Sequence, residues 1–236
     1  MMELKKQKIL SLKDSFIRRL EQDILSGRLS VGQKLPPERE LADRFGVSKA
    51  VIHAGILEME EKGFLSVRPR VGTFVSDFRM DGGKETLLSL MNHDGGSLCA
   101  EEVKSFNEFH CALDNMVILL SENRLNEENY EELDRAVEGI GHAGSPAEAA
   151  DCNFRFHHTL ALVSGNTLAP LFYTAFKSTF ASLWERYARK YGIPALYHNS
   201  RVLLDYIHAG RAQEAISWND LYTDNTTFGQ QKILEE

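Results

Sequence analysis

Apolar and polar residues follow each other along most of this 236-residue chain with the period of an α-helix. From residue 100 onward, apolar positions recur every three or four residues, and no convincing strand-like alternation appears. This pattern predicts helices near residues 100–123, 126–140, 146–164, 167–191, 195–209 and 211–230. Glycine, proline and asparagine mark the breaks between them. An earlier helix is predicted over residues 13–26, and a short one over residues 84–91.

Residues 35–75 show a different order of elements. Two prolines open a helix, which Gly46 can close because glycine tolerates the left-handed backbone at a helix end. Ser48 is a candidate N-cap for a second helix, which runs to Lys62. Two short strands then flank a turn at residues 68–72. Helix, tight turn, helix and hairpin are the order of a winged helix-turn-helix.

Cations stand at the three places where such a domain meets DNA. Arg39 lies at the start of the first helix, Lys49 at the start of the second, and Arg68 and Arg70 lie on the hairpin. The second helix of a winged helix-turn-helix enters the major groove, and the hairpin meets the backbone or the minor groove. Motif, order and charge together predict binding to double-stranded DNA.

The predicted fold class is mainly α, with an N-terminal winged helix-turn-helix domain followed by an all-α helical-bundle domain. We place the DNA-binding domain at residues 1–78 and a linker with a possible short helix at residues 79–99. Residues 100–236 then form an all-helical domain for ligand binding and dimerisation. Two domains are the ordinary expectation for a chain of 236 residues.

The net charge of −7 hides an asymmetry between the two parts. Residues 1–80 carry 15 Lys and Arg against 11 Asp and Glu, whereas the remainder carries 12 against 23. Only the first part suits DNA, because affinity comes largely from neutralising phosphates. No apolar run is long enough to span a bilayer, and the N-terminus lacks an apolar signal region. We therefore expect a cytoplasmic protein without a membrane partner.

Four motifs in residues 35–75 resemble the GntR family of bacterial transcription regulators. They are LPPERELA at 35–42, FGVS at 45–48, LEMEEKGFL at 57–65 and VGTFV at 71–75. The resemblance implies a winged helix-turn-helix that binds operator DNA. The candidate DNA-binding residues are Arg39, Ser48, Lys49, His53, Arg68, Arg70 and Gly72.

One position departs from the family pattern in the middle of the predicted recognition helix. The family usually carries Arg-Glu there, where this chain has His53 and Ala54. A neutral imidazole cannot make the bidentate guanine contact that a guanidinium makes. The resemblance therefore does not define the operator sequence.

The C-terminal part resembles the all-α ligand-binding domain, of the FCD type, found in the FadR-like branch of that family. The best match is FHHTLALVSGN at 156–166, and a weaker match is EFHCALD at 108–114. This resemblance implies a pocket for an organic acid or acyl compound. His110 stands where the branch has an arginine that grips such an acid, and a protonated imidazole can hold a carboxylate. A histidine on a mixed helix face is the alternative.

Many members of the branch bind a divalent metal through an Asp or Asn, a His four residues on, and two further histidines. Asn153 and His157 have that first spacing and share one helical face. The third position falls on Ser200, with His198 two residues earlier, and the fourth falls near Tyr222. The candidate ligands for zinc, nickel or manganese are therefore Asn153, His157 and His198. A stable site wants three or four good ligands, so we favour His157 as a polar wall residue without a metal.

These observations predict a ligand-responsive transcription repressor and not an enzyme. A homodimer would bind a near-palindromic operator, because two-fold protein symmetry matches two half-sites. The candidate effector-binding residues are His110, Asn153, His157, His198, Ser200 and Tyr222. Two alternatives stay open. One is a metal-dependent enzyme of small acids with an appended DNA-binding domain; the other is a constitutive DNA-binding protein whose C-terminal half only dimerises.

Overall fold

A computed structural model of the chain describes residues 11–92 and 100–233. Its contacts divide the chain into two compact units, Met1–Gly95 and Gly96–Glu236. The described residues form twelve helices and one two-stranded antiparallel sheet, which confirms the predicted mainly α class. The domain boundaries expected at 1–78, 79–99 and 100–236 stay predictions.

The N-terminal unit contains the helix-turn-helix and the hairpin that the sequence predicts. Its elements are α1 Leu12–Leu25, α2 Glu38–Phe45, α3 Lys49–Glu61, β1 Leu65–Arg68, β2 Gly72–Val75, α4 Phe78–Asp81 and α5 Lys84–Asn92. Gly46 ends α2 with a φ of 64°, as a glycine in the left-handed region can. The Ser48 hydroxyl accepts a hydrogen bond from the Val51 N–H at 3.3 Å and so caps α3. The short helix α4 was not predicted.

The core of this unit holds α3 against α1. Gly55 allows the close approach, because a Cβ there would lie 2.5 Å from the Phe16 ring. Lys49 and His53 on α3 remain exposed. The buried core consists of Phe16, Ile17, Leu20, Ile24, Leu35, Leu41, Ala42, Ile52, Ile56, Met59, Phe64, Leu65 and Val75.

The C-terminal unit is all-helical over its described residues. Its helices are α6 Ala100–Ser121, α7 Glu127–Gly141, α8 Pro146–Val163, α9 Ala169–Ala175, α10 Lys177–Tyr191, α11 Ile193–His208 and α12 Ala212–Thr227. Helix α8 lies at the centre, since it contacts α6, α7, α9, α10 and α11. Ser145 caps its start and Pro146 occupies its first turn, as a helix N-terminus favours.

The single helix predicted over residues 167–191 is wrong in one respect. Phe176 leaves the helical region, with φ −107° and ψ 18°, and separates α9 from α10. Its buried ring lies against Phe106 of α6, with the ring centroids 6.2 Å apart. The helix is thus interrupted at a residue whose ring is buried in the core.

Candidate functional site

The exposed end of α3 presents two candidate DNA-binding residues that are both tied to α2. His53 Nδ1 lies 2.8 Å from Glu38 Oε1, and Lys49 Nζ lies 3.8 Å from Glu38 Oε2. Glu38 therefore orients both side chains from the neighbouring helix. Because Nδ1 is engaged, the His53 atom left for a base edge is Nε2.

The hairpin between β1 and β2 carries the next group of cations. The Arg68 guanidinium lies 4.5 Å from the centre of the Phe74 ring, a cation–π contact that supports it. Arg70 adopts a φ of 64° in the turn and is exposed. Gly72 has a φ of 139°, a backbone conformation that residues with a side chain rarely adopt. The turn therefore depends on a glycine at this position.

The remaining candidates of this unit, Arg39 at the start of α2 and the capping residue Ser48, are exposed. The structure thus leaves the predicted cations Arg39, Lys49, Arg68 and Arg70 open to solvent on the helix-turn-helix and the hairpin. Their contacts with DNA stay predictions. Exposed cations on these elements are the electrostatic requirement for binding phosphates.

A cavity of about 30 Å³ opens between α6, α8, α10 and α12 in the C-terminal unit. It has room for about two water molecules. Polar and aromatic side chains line it together, as is common in ligand sites. The lining residues are Phe106, Asn107, His110, Asp114, His157, Phe180, Leu183, Trp184, Asn219, Tyr222, Thr223, Thr226 and Ile233.

The Asp114 carboxylate is the polar centre of this cavity, and only 3% of the residue is exposed. Its Oδ1 accepts a hydrogen bond from the Tyr173 hydroxyl and lies 3.1 Å from His157 Nδ1. Its Oδ2 lies 3.0 Å from His110 Nε2. Burial by itself would raise the pKa of Asp114, but the flanking imidazoles of His110 and His157 hold it well below its usual range. The carboxylate is therefore ionised.

Three buried polar atoms in the cavity have no hydrogen-bond partner among the described residues. They are His110 Nε2, Asp114 Oδ2 and the Tyr222 hydroxyl. The first two lie close together, but their geometry is not that of a hydrogen bond. Burial raises the pKa of Tyr222 well above its usual value, so this hydroxyl keeps its proton. Unsatisfied buried polar atoms are costly, which makes this cavity a candidate ligand site.

Aromatic rings hold the two imidazoles in place. The His157 ring stacks on Trp184, with centroids 5.0 Å apart and an interplanar angle of 14°. The His110 ring lies 4.7 Å from Phe180 and 5.4 Å from His157, measured between centroids. Because close-packed rings have little freedom to turn, the nitrogen atoms are held in fixed positions.

The other residues predicted for an effector or a metal lie around a second, smaller cavity. Asn153, His157, Ser200 and Tyr222 all line it. The Ser200 hydroxyl donates a hydrogen bond to Asn153 Oδ1 at 2.7 Å. His198 is exposed, packs edge-on against Trp218, and is absent from the lining of both cavities described here. The predicted set of Asn153, His157 and His198 is therefore not brought together as a group.

Sequence reasoning missed Asp114 and Tyr173. A usable signal existed for Asp114, because it follows His110 by four residues and so shares its helical face. No signal in the sequence pointed to Tyr173, because its contact with Asp114 depends on how the helices of the folded unit pack. Among the described residues, the group of side chains suited to a metal is His110, Asp114 and His157.

Comparison with known families accounts for both units. The profile described as "Bacterial regulatory proteins, gntR family" matches residues 12–75, and the FCD domain profile matches residues 106–218. The chain belongs to the GntR family. Its FCD domain confirms the resemblance to the FadR-like branch, and relatives that it matches are named as transcriptional regulators.

Two relatives illustrate this assignment. RmpR of Mycobacterium gastri, named as an HTH-type transcriptional regulator, is 28% identical over 151 residues, which span 63% of this chain and 53% of RmpR. The fatty acid metabolism regulator protein of Shewanella frigidimarina is 27% identical over 173 residues, which span 72% of this chain and 68% of that protein. The chain thus spans only about half of RmpR.

A solved structure supports the fold. The structure of Lar, described as controlling expression of the Listeria monocytogenes agr system, matches with a TM-score of 0.61 at 16% identity. The match covers 97% of this chain and 100% of that chain. Within residues 11–92 and 100–233, no helix combines the length and apolar character that crossing a membrane requires.

Proposed function

We propose that this GntR-family regulator is a repressor that binds a palindromic operator as a homodimer. A small organic acid, bound in the FCD domain, changes its affinity for that operator. The protein acts in the cytoplasm on double-stranded DNA and is not an enzyme. The observation that carries the proposal is the buried Tyr222 hydroxyl, which keeps its proton and lacks a hydrogen-bond partner in a cavity lined by polar and aromatic side chains.

The DNA-binding half of the proposal rests on charge and exposure. Arg39, Lys49, Arg68 and Arg70 are exposed on the elements that meet DNA in winged helix-turn-helix proteins. Lys49 and His53 share one acidic partner, Glu38, which favours a defined arrangement of the face proposed to read the base pairs. Such preorganisation lowers the entropic cost of binding.

The homodimer is supported by exposed apolar side chains on α6 and at α9. We call the following residues the α6/α9 surface: Phe109, Met116, Leu119, Leu120, Leu168, Leu171 and Phe172. The rings of Phe109 and Phe172 lie 5.8 Å apart between centroids, and the Asn166 amide lies 4.0 Å from Met116 Sδ. The two groups therefore adjoin. Contiguous apolar surface of this kind marks protein–protein interfaces.

The effector is proposed from the chemistry of the cavity. Tyr222 offers a hydroxyl donor, and a carboxylate supplies the acceptor that this donor lacks. The cavity of about 30 Å³ suits the carboxylate group of a short acid. The Shewanella relative is named as a fatty acid metabolism regulator protein. A long acyl chain would fit this cavity only if the aromatic lining moved. A short organic acid is therefore the favoured effector class.

Arg39→Ala tests the DNA-binding assignment. We expect it to weaken operator binding by about tenfold or more and to reduce the dependence of affinity on salt, because a phosphate contact is lost. The affinity is measured by fluorescence anisotropy on a duplex selected from a random pool with the wild-type chain. Arg189→Ala, which removes an exposed arginine from α10, is the matched control and should leave the affinity unchanged. Equal affinities for wild type and Arg39→Ala would contradict the assignment.

Tyr222→Phe tests control by an acid. The same titration is repeated with acetate, lactate, pyruvate, succinate and citrate, one of which should change the wild-type operator affinity by about tenfold. The variant should bind the operator as wild type does without acid and lose that response, because it lacks the hydroxyl donor. If none of these acids changes the operator affinity of the wild-type chain, the result contradicts the effector proposal. It then supports the alternative of a constitutive DNA-binding protein.

A further inference from the structure

We propose that His53 reads the operator through the lone pair of its Nε2 atom. The base that it selects then presents an amino group in the major groove, either cytosine N4 or adenine N6. His53 lies in the N-terminal half of α3, and 57% of its side chain is exposed. This part of the second helix contacts base edges in helix-turn-helix proteins. The contact depends on the DNA binding of the proposed function and adds to it the chemistry of the selected base.

Glu38 decides which nitrogen of His53 carries the hydrogen. Its Oε1 lies 2.8 Å from His53 Nδ1. A carboxylate oxygen accepts hydrogen bonds and does not donate them, so this contact requires a hydrogen on Nδ1. In a neutral imidazole the other nitrogen, Nε2, then has a lone pair and acts as an acceptor. A residue of α2 thus sets the hydrogen-bonding character of a residue of α3.

Further contacts hold the Glu38 carboxylate in this position. Glu38 is the first residue of α2, where the helix dipole favours a negative charge. Its second oxygen, Oε2, lies 3.8 Å from Lys49 Nζ, one turn before His53 on α3. Only 27% of the Glu38 side chain is exposed. Each carboxylate oxygen therefore faces its own partner, and the orientation of the His53 ring follows from this arrangement.

The major-groove edges of the four bases offer this lone pair two kinds of partner. Cytosine presents its N4 amino group and adenine its N6 amino group, and both groups are donors. Guanine presents the acceptors N7 and O6, and thymine presents the acceptor O4 beside a methyl group. Two acceptors that face each other form no hydrogen bond. His53 therefore favours cytosine or adenine, whereas an arginine, which only donates, favours guanine.

Nitrogen NMR spectroscopy of the full-length chain without DNA tests the position of the hydrogen. The spectra are recorded at pH 8, at which free histidine is neutral, and the His53 signals are those that His53→Ala removes. We expect wild type to carry the hydrogen on Nδ1 and Glu38→Ala to lose this preference. Glu40→Ala is the matched control, because it removes an exposed carboxylate of α2 that pairs with Arg44. A hydrogen on Nε2 of wild type, with or without one on Nδ1, would overturn the proposal.

Base analogues in a selected operator duplex test the contact itself. The base pair that His53 reads is the pair whose preference disappears when the random pool is selected with His53→Ala. At that pair, 2-pyrimidinone in place of cytosine or purine in place of adenine removes the amino group, and 7-deazaguanine in place of guanine removes the N7 acceptor. We expect loss of the amino group to weaken wild-type binding by about tenfold and loss of N7 to have no effect. Neither analogue should change the affinity of His53→Ala.

Two results on the duplex would also overturn this assignment. One is weaker binding on loss of guanine N7 but not on loss of the amino group, which would show that His53 donates a hydrogen bond. The other is an unchanged base preference at every position in His53→Ala. In both cases the wild-type chain still selects a duplex, so the DNA binding of the proposed function stands. If wild type selects no sequence from the pool, both the proposed operator binding and the role of His53 are wrong.

Discussion

Asp114→Ala is expected to lower the free energy of unfolding of the C-terminal unit by about 3 kcal/mol in the presence of EDTA. The carboxylate is buried at the meeting point of Tyr173, His157 and His110. Its removal leaves the Tyr173 hydroxyl and the His157 imidazole without their acceptor, takes away the carboxylate beside His110, and opens a cavity among packed rings. Each of these changes destabilises the folded state, because the buried groups do not replace the lost contacts with hydrogen bonds to water.

Tryptophan fluorescence during urea denaturation measures this effect. Both tryptophans, Trp184 and Trp218, belong to the C-terminal unit, so their signal reports its unfolding. Asp114→Asn keeps the shape and one acceptor and should cost less than the alanine variant. Asp151→Ala removes an exposed carboxylate from α8 and should change stability by less than about 0.5 kcal/mol. A loss below about 1 kcal/mol for Asp114→Ala would show that this carboxylate does not organise the cavity.

The helix-turn-helix was predictable because its signals act on their own backbone. Gly46 ends α2 by adopting a left-handed conformation, and Ser48 caps α3 by bonding an N–H three residues on. Neither interaction depends on distant parts of the chain. The cations of the hairpin were predictable for the same reason, since their exposure follows from the short strands that carry them.

The cavity of the FCD domain was predictable only in part. His157 and His110 were identified by motif, but the Tyr173–Asp114 contact joins positions 59 residues apart and depends on how the helices pack. The position of His198 illustrates a second limit. Ser200 faces Asn153, and a residue two positions earlier points about 200° away around the helix. Alignment by spacing alone could not decide between the two.

The double variant Leu119→Glu/Leu171→Glu is expected to convert the proposed dimer into a monomer. Both side chains belong to the α6/α9 surface, where they are 53% and 62% exposed, so the folded protomer tolerates the changes. In a two-fold interface each substitution occurs twice, which places four carboxylates against apolar surface. Burying charges that lack partners is costly, and the dimer dissociation constant should rise by about 100-fold or more.

Operator binding connects this change to function. A dimer contacts two half-sites at once, whereas a monomer contacts one, so the variant should lose about 100-fold in operator affinity. Light scattering after size-exclusion chromatography measures the mass, and fluorescence anisotropy measures the affinity. Leu221→Glu is the matched control, because Leu221 is a leucine of equal exposure, 53%, on α12. If Leu221→Glu dissociates the dimer and the double variant does not, the dimer interface lies on the face of α12 and not on α6 and α9.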